Sequence, residues 1–158
     1  MKTSRHGWTV TVATVTRAKI AVTLIAATAA AAGCSDDSNP NSPTPRAEYS
    51  QTDVRVGTGA EATAGRRLNV HYTLWAYSPS GTDGKGQQIQ TSVGGAPYSF
   101  VLGTGAVISG WDRGVPGMRV GGLRRLVLPP ELAYGSQGNG QIPGNATLVF
   151  DIELMEVQ

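Results

Sequence analysis

The feature that most constrains this 158-residue chain is the stretch at residues 107–135, VISGWDRGVPGMRVGGLRRLVLPPELAYG. Its apolar residues recur at three- and four-residue steps through Trp111, which predicts a short helix with one apolar face. Gly110 and Gly114 weaken that helix, so tertiary packing has to hold it. The stretch then predicts a buried strand, stopped by two prolines, and a turn that presents Tyr134. A chain built this way must pack one poor helix against strands.

Most of the remaining folded part predicts strands and turns. Four segments place apolar residues at every second position, which is typical of half-buried strands. These positions are Leu68, Val70, Tyr72 and Leu74; Tyr98, Phe100 and Leu102; Leu126 and Leu128; and Leu148, Phe150, Ile152 and Leu154. Val54 and Val56 predict a further short strand, while Asp151 and Glu153 are expected to face solvent. We therefore predict an α+β fold, an antiparallel sheet wrapped around one short helix near residues 108–115.

Residues 1–33 predict an export signal. Four basic residues, Lys2, Arg5, Arg17 and Lys19, precede an uncharged apolar run at residues 20–32. That run has about 13 residues where a bilayer needs about 20, so a signal-peptide core fits better than a membrane-spanning helix. Small residues then lead into Cys34, the single cysteine of the chain. This arrangement resembles the lipobox of bacterial lipoproteins, which implies a diacylglyceryl group on Cys34; a plain secretory signal is the alternative.

Residues 34–48 predict a lipidated cysteine followed by a flexible tether, because SDDSNPNSPTPR has no apolar residue to bury and three prolines. The chain has 13 basic and 11 acidic residues, and four of the basic but none of the acidic ones precede Cys34. Removal of the signal therefore leaves 9 against 11, a net charge of −2, and nucleic-acid binding loses its compositional support. We expect an exported monomer, anchored by lipid on the outer face of the cell membrane.

Few side chains could carry covalent or metal chemistry. His6 lies in the signal, so the mature chain has His71 alone, and one histidine with a lipidated cysteine cannot build a metal site. His71 falls on a predicted strand, which indicates a structural hydrogen-bonding role. The acidic residues of the folded part fall singly, and no base accompanies a serine or threonine nucleophile. Neither a metal nor a cofactor is expected, and what remains describes an apolar pocket with one phenol.

Together with the closing strand ATLVFDIEL at residues 146–154, the 107–135 stretch resembles the FKBP family of peptidyl-prolyl cis–trans isomerases. The resemblance covers residues 49–158, and the family's fold is the α+β arrangement predicted above. It implies an enzyme that needs no cofactor and acts on X-Pro bonds of unfolded or partly folded exported chains. A twisted amide has lost resonance and is less polar than a planar one, so a dry apolar pocket favours the transition state.

The resemblance also implies a role for each matching residue. Trp111 would be the floor on which the proline ring stacks, while the Ile108 backbone N–H and the Tyr134 hydroxyl would donate hydrogen bonds to the substrate. The walls and rim would be Tyr72, Ile89, Gln90, Tyr98, Val107, Ile142 and Phe150. Four other apolar residues are interpreted as core alone: Phe100, Leu148, Ile152 and Leu154.

The chain departs from the family at several of these positions. Gln90 stands where an aspartate is common, and we expect it to accept a hydrogen bond from Tyr134. Gln141 replaces an apolar rim residue, and the loop predicted at residues 78–86 lengthens a hairpin. These departures weaken the expected binding of macrolides such as tacrolimus more than they weaken catalysis. They leave open a proline-peptide binding module or chaperone with little catalytic activity.

Overall fold

The computed structural model describes residues 44–158. The predicted signal, the lipidation of Cys34 and the first part of the tether therefore lie outside the described residues. Within the described part, no helix is both long and apolar enough to cross a membrane. Arg46, at the end of the predicted tether, pairs with Glu131 at 3.0 Å, and the Arg113 guanidinium lies 4.0 Å from the centroid of the Tyr49 ring.

The described chain forms a six-stranded antiparallel sheet and one short helix. The strands are β1 Ser50–Arg55, β2 Arg67–Tyr77, β3 Lys85–Thr91, β4 Tyr98–Val101, β5 Leu123–Leu128 and β6 Leu148–Val157, and the helix is α1 Ser109–Gly114. Their order in the sheet is β1-β5-β6-β2-β3, and β4 pairs with the first residues of β2. Short 3₁₀ turns occupy Thr82–Gly84 and Pro130–Leu132. The predicted antiparallel sheet with one short helix is confirmed.

Close packing against β5 holds α1. A Cβ atom added at Gly110 would lie 2.5 Å from Leu128 Cδ1, and one added at Gly114 would lie 2.6 Å from Leu126 Cδ2. Both glycines therefore permit an approach that a larger residue would prevent. The helix that these two glycines weaken therefore lies in close contact with β5.

Arg124 fixes the carboxyl end of α1. It is only 7% exposed, and its guanidinium donates to the carbonyls of Gly114 at 2.9 Å and Pro116 at 3.0 Å. Its Nε also donates to Asp53 Oδ1 at 2.6 Å. One buried side chain thus ties the helix end, β5 and β1 together, and it satisfies carbonyls that a helix end leaves without partners.

The core lies between the sheet and α1. Its most buried members include Leu68, Val70, Leu74, Phe100, Leu126, Leu128, Leu148, Phe150, Ile152 and Leu154, all at most 4% exposed. Alternate residues of β2, β5 and β6 supply most of this set, as the period of two predicts. The burial expected for Phe100, Leu148, Ile152 and Leu154 is confirmed.

Two details of the strand prediction were wrong. Val54 and Val56 were placed in one short strand, but β1 ends at Arg55, so Val56 lies just after it. The two valines are 49% and 73% exposed, because among the described strands β1 pairs only with β5 and forms an edge of the sheet. The loop predicted at residues 78–86 ends earlier, because Lys85 already begins β3.

The expectation that Asp151 faces solvent was also wrong. Its carboxylate accepts hydrogen bonds from Arg125 Nε at 2.7 Å and from Lys85 Nζ at 2.6 Å. Asp83, in the loop between β2 and β3, reaches across β6 to pair with Arg125 at 2.6 Å, and Lys85 Nζ lies 4.2 Å from the centroid of the Trp75 ring. Burial alone would raise the pKa of Asp151, but these hydrogen bonds and charges outweigh burial and hold the pKa below its usual value.

Candidate active site

A cavity of about 390 Å³ lies where β2, β3, β4, β6, α1 and the turn after β5 meet. Its lining residues are Tyr72, Leu74, Gln90, Tyr98, Ala106, Val107, Ile108, Trp111, Tyr134 and Phe150. The structure thus brings together eight of the ten residues that the resemblance placed in the folded site. Leu74 and Ala106 were not among them. Leu74 could have been found because it shares a strand face with Tyr72, and Ala106 because it precedes Val107.

Ile89 and Ile142, the other two residues of that set, line an adjoining depression of about 400 Å³. Gln90 and Tyr134 line both the cavity and this depression, which is completed by Asn139 and Gln141. Ile142 is 8% exposed, so it supports the depression from within the core. The two isoleucines therefore lie beside the cavity rather than inside it.

Trp111 occupies the buried end of the cavity and is 4% exposed. Its ring centroid lies 5.4 Å from that of Tyr72 and 5.5 Å from those of Phe100 and Phe150. The contacts with Tyr72 and Phe150 are edge-on, with interplanar angles of 77° and 86°, a favourable geometry for aromatic pairs. The indole N–H has no hydrogen-bond acceptor among the described residues, so packing within the core rather than a hydrogen bond holds the ring.

Ile108 is the residue that caps the amino end of α1. Its backbone is extended, with φ −60° and ψ 147°, and its carbonyl accepts from the Trp111 N–H at 2.9 Å. Within residues 44–158 the backbone N–H of Ile108 has no protein acceptor. A free N–H beside an aromatic cavity is available to a ligand carbonyl.

Asp112 positions the segment that carries Ile108. Its two carboxylate oxygens accept from the N–H groups of Gly103 at 2.9 Å and Gly105 at 3.0 Å, and both glycines have positive φ. The carboxylate therefore ties the turn that follows β4 to the first turn of α1, and Val107 and Ile108 lie between these two anchors. Asp112 was not predicted as a site residue, although an acidic residue in a first helical turn is a recognisable capping signal.

Three phenols surround the cavity. The hydroxyls of Tyr72, Tyr98 and Tyr134 have no hydrogen-bond partner among the described residues. Burial raises the pKa of Tyr72, and the neighbouring phenols of Tyr134 and Tyr98 raise it further, so it stays protonated and able to donate at neutral pH. The expected hydrogen bond from Tyr134 to Gln90 is absent from this part of the structure, which leaves both groups free to meet a ligand.

The chemistry open to this cavity is non-covalent. Of the residues that the structure describes, none brings a carboxylate, ammonium or imidazole group to the cavity lining. In the described part of the chain, no three His, Cys, Asp or Glu side chains are grouped to hold a metal ion. His71 lies on β2 with its Nδ1 3.3 Å from Ser92 Oγ, a structural contact outside the cavity lining. The arrangement can surround an apolar ring and donate hydrogen bonds to a carbonyl.

Comparison with known proteins reveals relatives that are named as FK506-binding proteins or peptidyl-prolyl cis-trans isomerases. The FK506-binding protein of Neisseria meningitidis serogroup A is 42% identical over 106 residues, which cover 66% of this chain and 92% of that protein. The chloroplastic peptidyl-prolyl cis-trans isomerase FKBP16-4 of Arabidopsis thaliana is 46% identical over 110 residues, covering 67% of this chain and 46% of that protein. The chain thus spans less than half of the Arabidopsis protein, and about a fifth to a quarter of some fungal relatives.

The fold agrees with these relatives. The crystal structure of AtFKBP13 matches with a TM-score of 0.59 and 36% identity, covering 70% of this chain and 93% of that one. The family of FKBP-type peptidyl-prolyl cis-trans isomerases matches residues 59–155, a segment that contains every residue of the cavity. This chain therefore belongs to the FKBP-type peptidyl-prolyl cis–trans isomerases.

Proposed function

We propose that the protein accelerates the cis–trans isomerisation of X-Pro bonds in unfolded or partly folded exported chains. The observation that carries this proposal is the uncharged aromatic cavity with Trp111 at its floor. Beside it are two donors, the Ile108 N–H and the Tyr134 hydroxyl, that have no partner among the described residues. Prolyl isomerisation breaks no covalent bond, so it needs neither a nucleophile nor a metal. An uncharged pocket with free donors suits such a reaction.

The rate gain would come from desolvation and positioning. The partial double bond of the amide imposes a barrier of roughly 18–20 kcal/mol. Removing about 5–7 kcal/mol of it would accelerate the reaction roughly 10⁴- to 10⁵-fold. The twisted amide of the transition state is less polar than the planar amide of the ground state. Transfer from water into an aromatic cavity therefore costs the transition state less free energy than it costs the ground state.

Each group would have a distinct part in this process. The proline ring stacks on the Trp111 indole, with the rings of Tyr72, Tyr98 and Phe150 around it. The Ile108 N–H donates to the carbonyl of the substrate and the Tyr134 hydroxyl donates a second hydrogen bond, so the chain on one side of the prolyl bond is held while the other side rotates. Asp112 acts as a positioning residue, because it holds the turn ahead of Ile108 in place.

A proline-peptide binding module or chaperone is the second candidate. The observation that favours it is the amide of Gln90, which lines the cavity in place of the acidic group that the family commonly has there. The same uncharged amide is expected to weaken the binding of macrolides such as tacrolimus. Both candidates need the same pocket, so they differ only in whether bound peptide is turned over.

The test compares the full chain, in detergent, with its Tyr134→Phe variant on a short Leu-Pro-Phe peptide. An isomerase should accelerate cis-to-trans conversion, and the variant should lose about fivefold in kcat/KM because it lacks one donor at the transition state. Peptide affinity should change less than twofold to threefold. Binding without acceleration in the wild type would establish the binding module, and equal loss of affinity and rate in the variant would make Tyr134 a packing residue.

For the location, we propose an exported lipoprotein, anchored through lipid on Cys34 to the outer face of the cell membrane. The support is the sequence of residues 1–34, in which a basic segment, an apolar run and small residues lead to a cysteine. Replacement of Cys34 by Ser should move the protein from the membrane fraction to the soluble fraction, whereas the adjacent Ser35→Ala change should not. A Cys34→Ser protein that stays on the membrane would contradict lipid anchoring.

A further inference from the structure

Two further depressions follow the catalytic cavity along β3. Gln90 and Tyr134 are shared between the cavity and the adjoining depression, and Ile89 and Gln141 are shared between that depression and a further one of about 570 Å³. We call this last depression the outer trough; its lining residues are Ala76, Gln87, Gln88, Ile89, Gln141 and Pro143. The shared residues place the cavity, the depression and the outer trough side by side along β3, and we call this series of three the path.

The strand beside this path is an edge of the sheet. Among the strands of residues 44–158, β3 pairs only with β2, so one side of its backbone has no neighbouring strand there. The pairing of Leu74 with Gln90 and of Trp75 with Gln88 leaves Ile89 as an extra residue, and the register shifts again before Tyr77 pairs with Lys85. Such bulges redirect side chains at sheet edges. An edge strand also offers free N–H and C=O groups to an added extended chain.

Side-chain amides dominate the polar surface of the path. Five of them line it, from Gln87, Gln88, Gln90, Asn139 and Gln141, and none makes a hydrogen bond to another described residue. Each amide can both donate and accept, as each peptide unit of a backbone can. Among the described residues, no acidic or basic side chain lines either depression, and apolar contacts come from Ala76, Ile89, Ile142 and Pro143. This surface matches polypeptide backbone and does not select for charge.

We propose that the outer trough binds the segment of substrate chain that flanks the isomerised prolyl bond, extended along the free edge of β3. This inference rests on the proposed isomerase function, because the occupant is the remainder of the same substrate. A polypeptide whose proline fills the cavity must leave it along the surface, and the outer trough lies one depression away from the cavity along β3. Gln87 lies three residues from Gln90, a span of about 10 Å that accommodates about three extended substrate residues.

The test uses the full chain in detergent and three peptides that share a Leu-Pro-Phe core. One peptide is the core alone, and the others carry six additional uncharged residues on the amino or on the carboxyl side. The test variant is Gln87→Ala/Gln88→Ala, whose side chains line the outer trough and not the catalytic cavity. Gln51→Ala is the matched control, because Gln51 lies on β1 at the opposite edge of the sheet.

For the wild type and Gln51→Ala, one of the two extended peptides should have a KM about tenfold below that of the core, the effect of one or two net hydrogen bonds. The double variant should lose most of this gain while it isomerises the core peptide as fast as the wild type. The gain should persist in 0.5 M salt, since no charge contributes to it. Equal KM values for all three peptides, or a gain that survives in the double variant, would overturn the proposal.

Two further outcomes concern the proposed isomerase function and a different occupant of the outer trough. If the wild type isomerises none of the peptides, the proposed function fails, and tighter binding of an extended fluorescent peptide that the double variant loses would still support the trough. If the wild type dimerises without peptide and the double variant is monomeric, a second copy of the chain occupies the trough and the proposal is overturned.

Discussion

Replacement of Trp111 by leucine tests whether the floor of the cavity acts in catalysis as well as in the core. Leucine keeps an apolar side chain at a position that is 4% exposed but removes the aromatic contacts with Tyr72, Phe100 and Phe150. Three close aromatic pairs at about 0.5–1.5 kcal/mol each predict a loss of about 3 kcal/mol in unfolding free energy. For a domain of this size that loss lowers Tm by about 10–15 °C.

The same substitution should lower activity more than its stability cost explains. The proline ring loses most of the flat surface on which it stacks, equivalent to two or three methylene groups left in poor contact, or about 2 kcal/mol. That energy corresponds to a roughly 30-fold fall in kcat/KM. The assay is the cis-to-trans rate of the core peptide at 10 °C, where wild type and variant should both be folded, with circular dichroism to verify this.

Phe100→Leu is the matched control. Phe100 is also 4% exposed and its ring lies 5.5 Å from that of Trp111, but it does not line the cavity. We expect this variant to lose about 1–1.5 kcal/mol of stability and to change kcat/KM less than threefold. A folded Trp111→Leu protein with wild-type kcat/KM would refute the role of Trp111 as the catalytic floor and leave it as a core residue alone.

Three more substitutions test the supports of the site. The folded-state pKa of Asp151 lies below its unfolded value, so ionised Asp151 stabilises the fold above about pH 4, and this contribution is lost as the pH falls through the folded-state pKa. Asp151→Asn should therefore lower the free energy of unfolding by about 2 kcal/mol at pH 7 and by little near pH 2. Urea titrations at both pH values measure this difference. Arg124→Met removes the donors to the Gly114 and Pro116 carbonyls and should cost about 2–3 kcal/mol by urea titration, with Arg55→Met as the exposed control. Gly110→Ala forces a Cβ atom against Leu128, so it should cost about 1–3 kcal/mol and raise KM, and an unchanged Tm would contradict the tight approach of α1 to β5.

Much of the fold was predictable because burial is periodic in this chain. Apolar residues alternate with more polar ones along β2 and β6, and this alternation predicts which residues of each strand face the core. β3 was not predicted, since KGQQIQT contains a single apolar residue, Ile89, and an exposed edge strand buries too little to produce a pattern. The two register shifts between β2 and β3 also make this strand hard to predict, because a bulge interrupts the alternation of inward and outward residues.

The site was predictable to a different degree. Tyr72, Trp111 and Tyr134 were assigned through the family resemblance, and the structure places all three around one cavity although they are far apart in sequence. Composition could not have placed them there, because an aromatic on a strand is most often core. Asp112 escaped notice because its effect is indirect: its carboxylate bonds two glycine N–H groups and touches no cavity surface.

An alternating strand predicts which face a residue lies on but not what covers that face. Asp151 is on the outer face of β6, as the pattern requires, and yet it is half-buried because the loop after β2 carries Asp83 across β6 to Arg125. The loop residues are polar, so their sequence carries no periodic signal of this contact. The same argument applies to Gln87 and Gln88, which line the outer trough beside the register shifts of β3. In this chain, polar residues at sheet edges and in loops therefore set the surroundings of the site, while the periodic apolar residues set its frame.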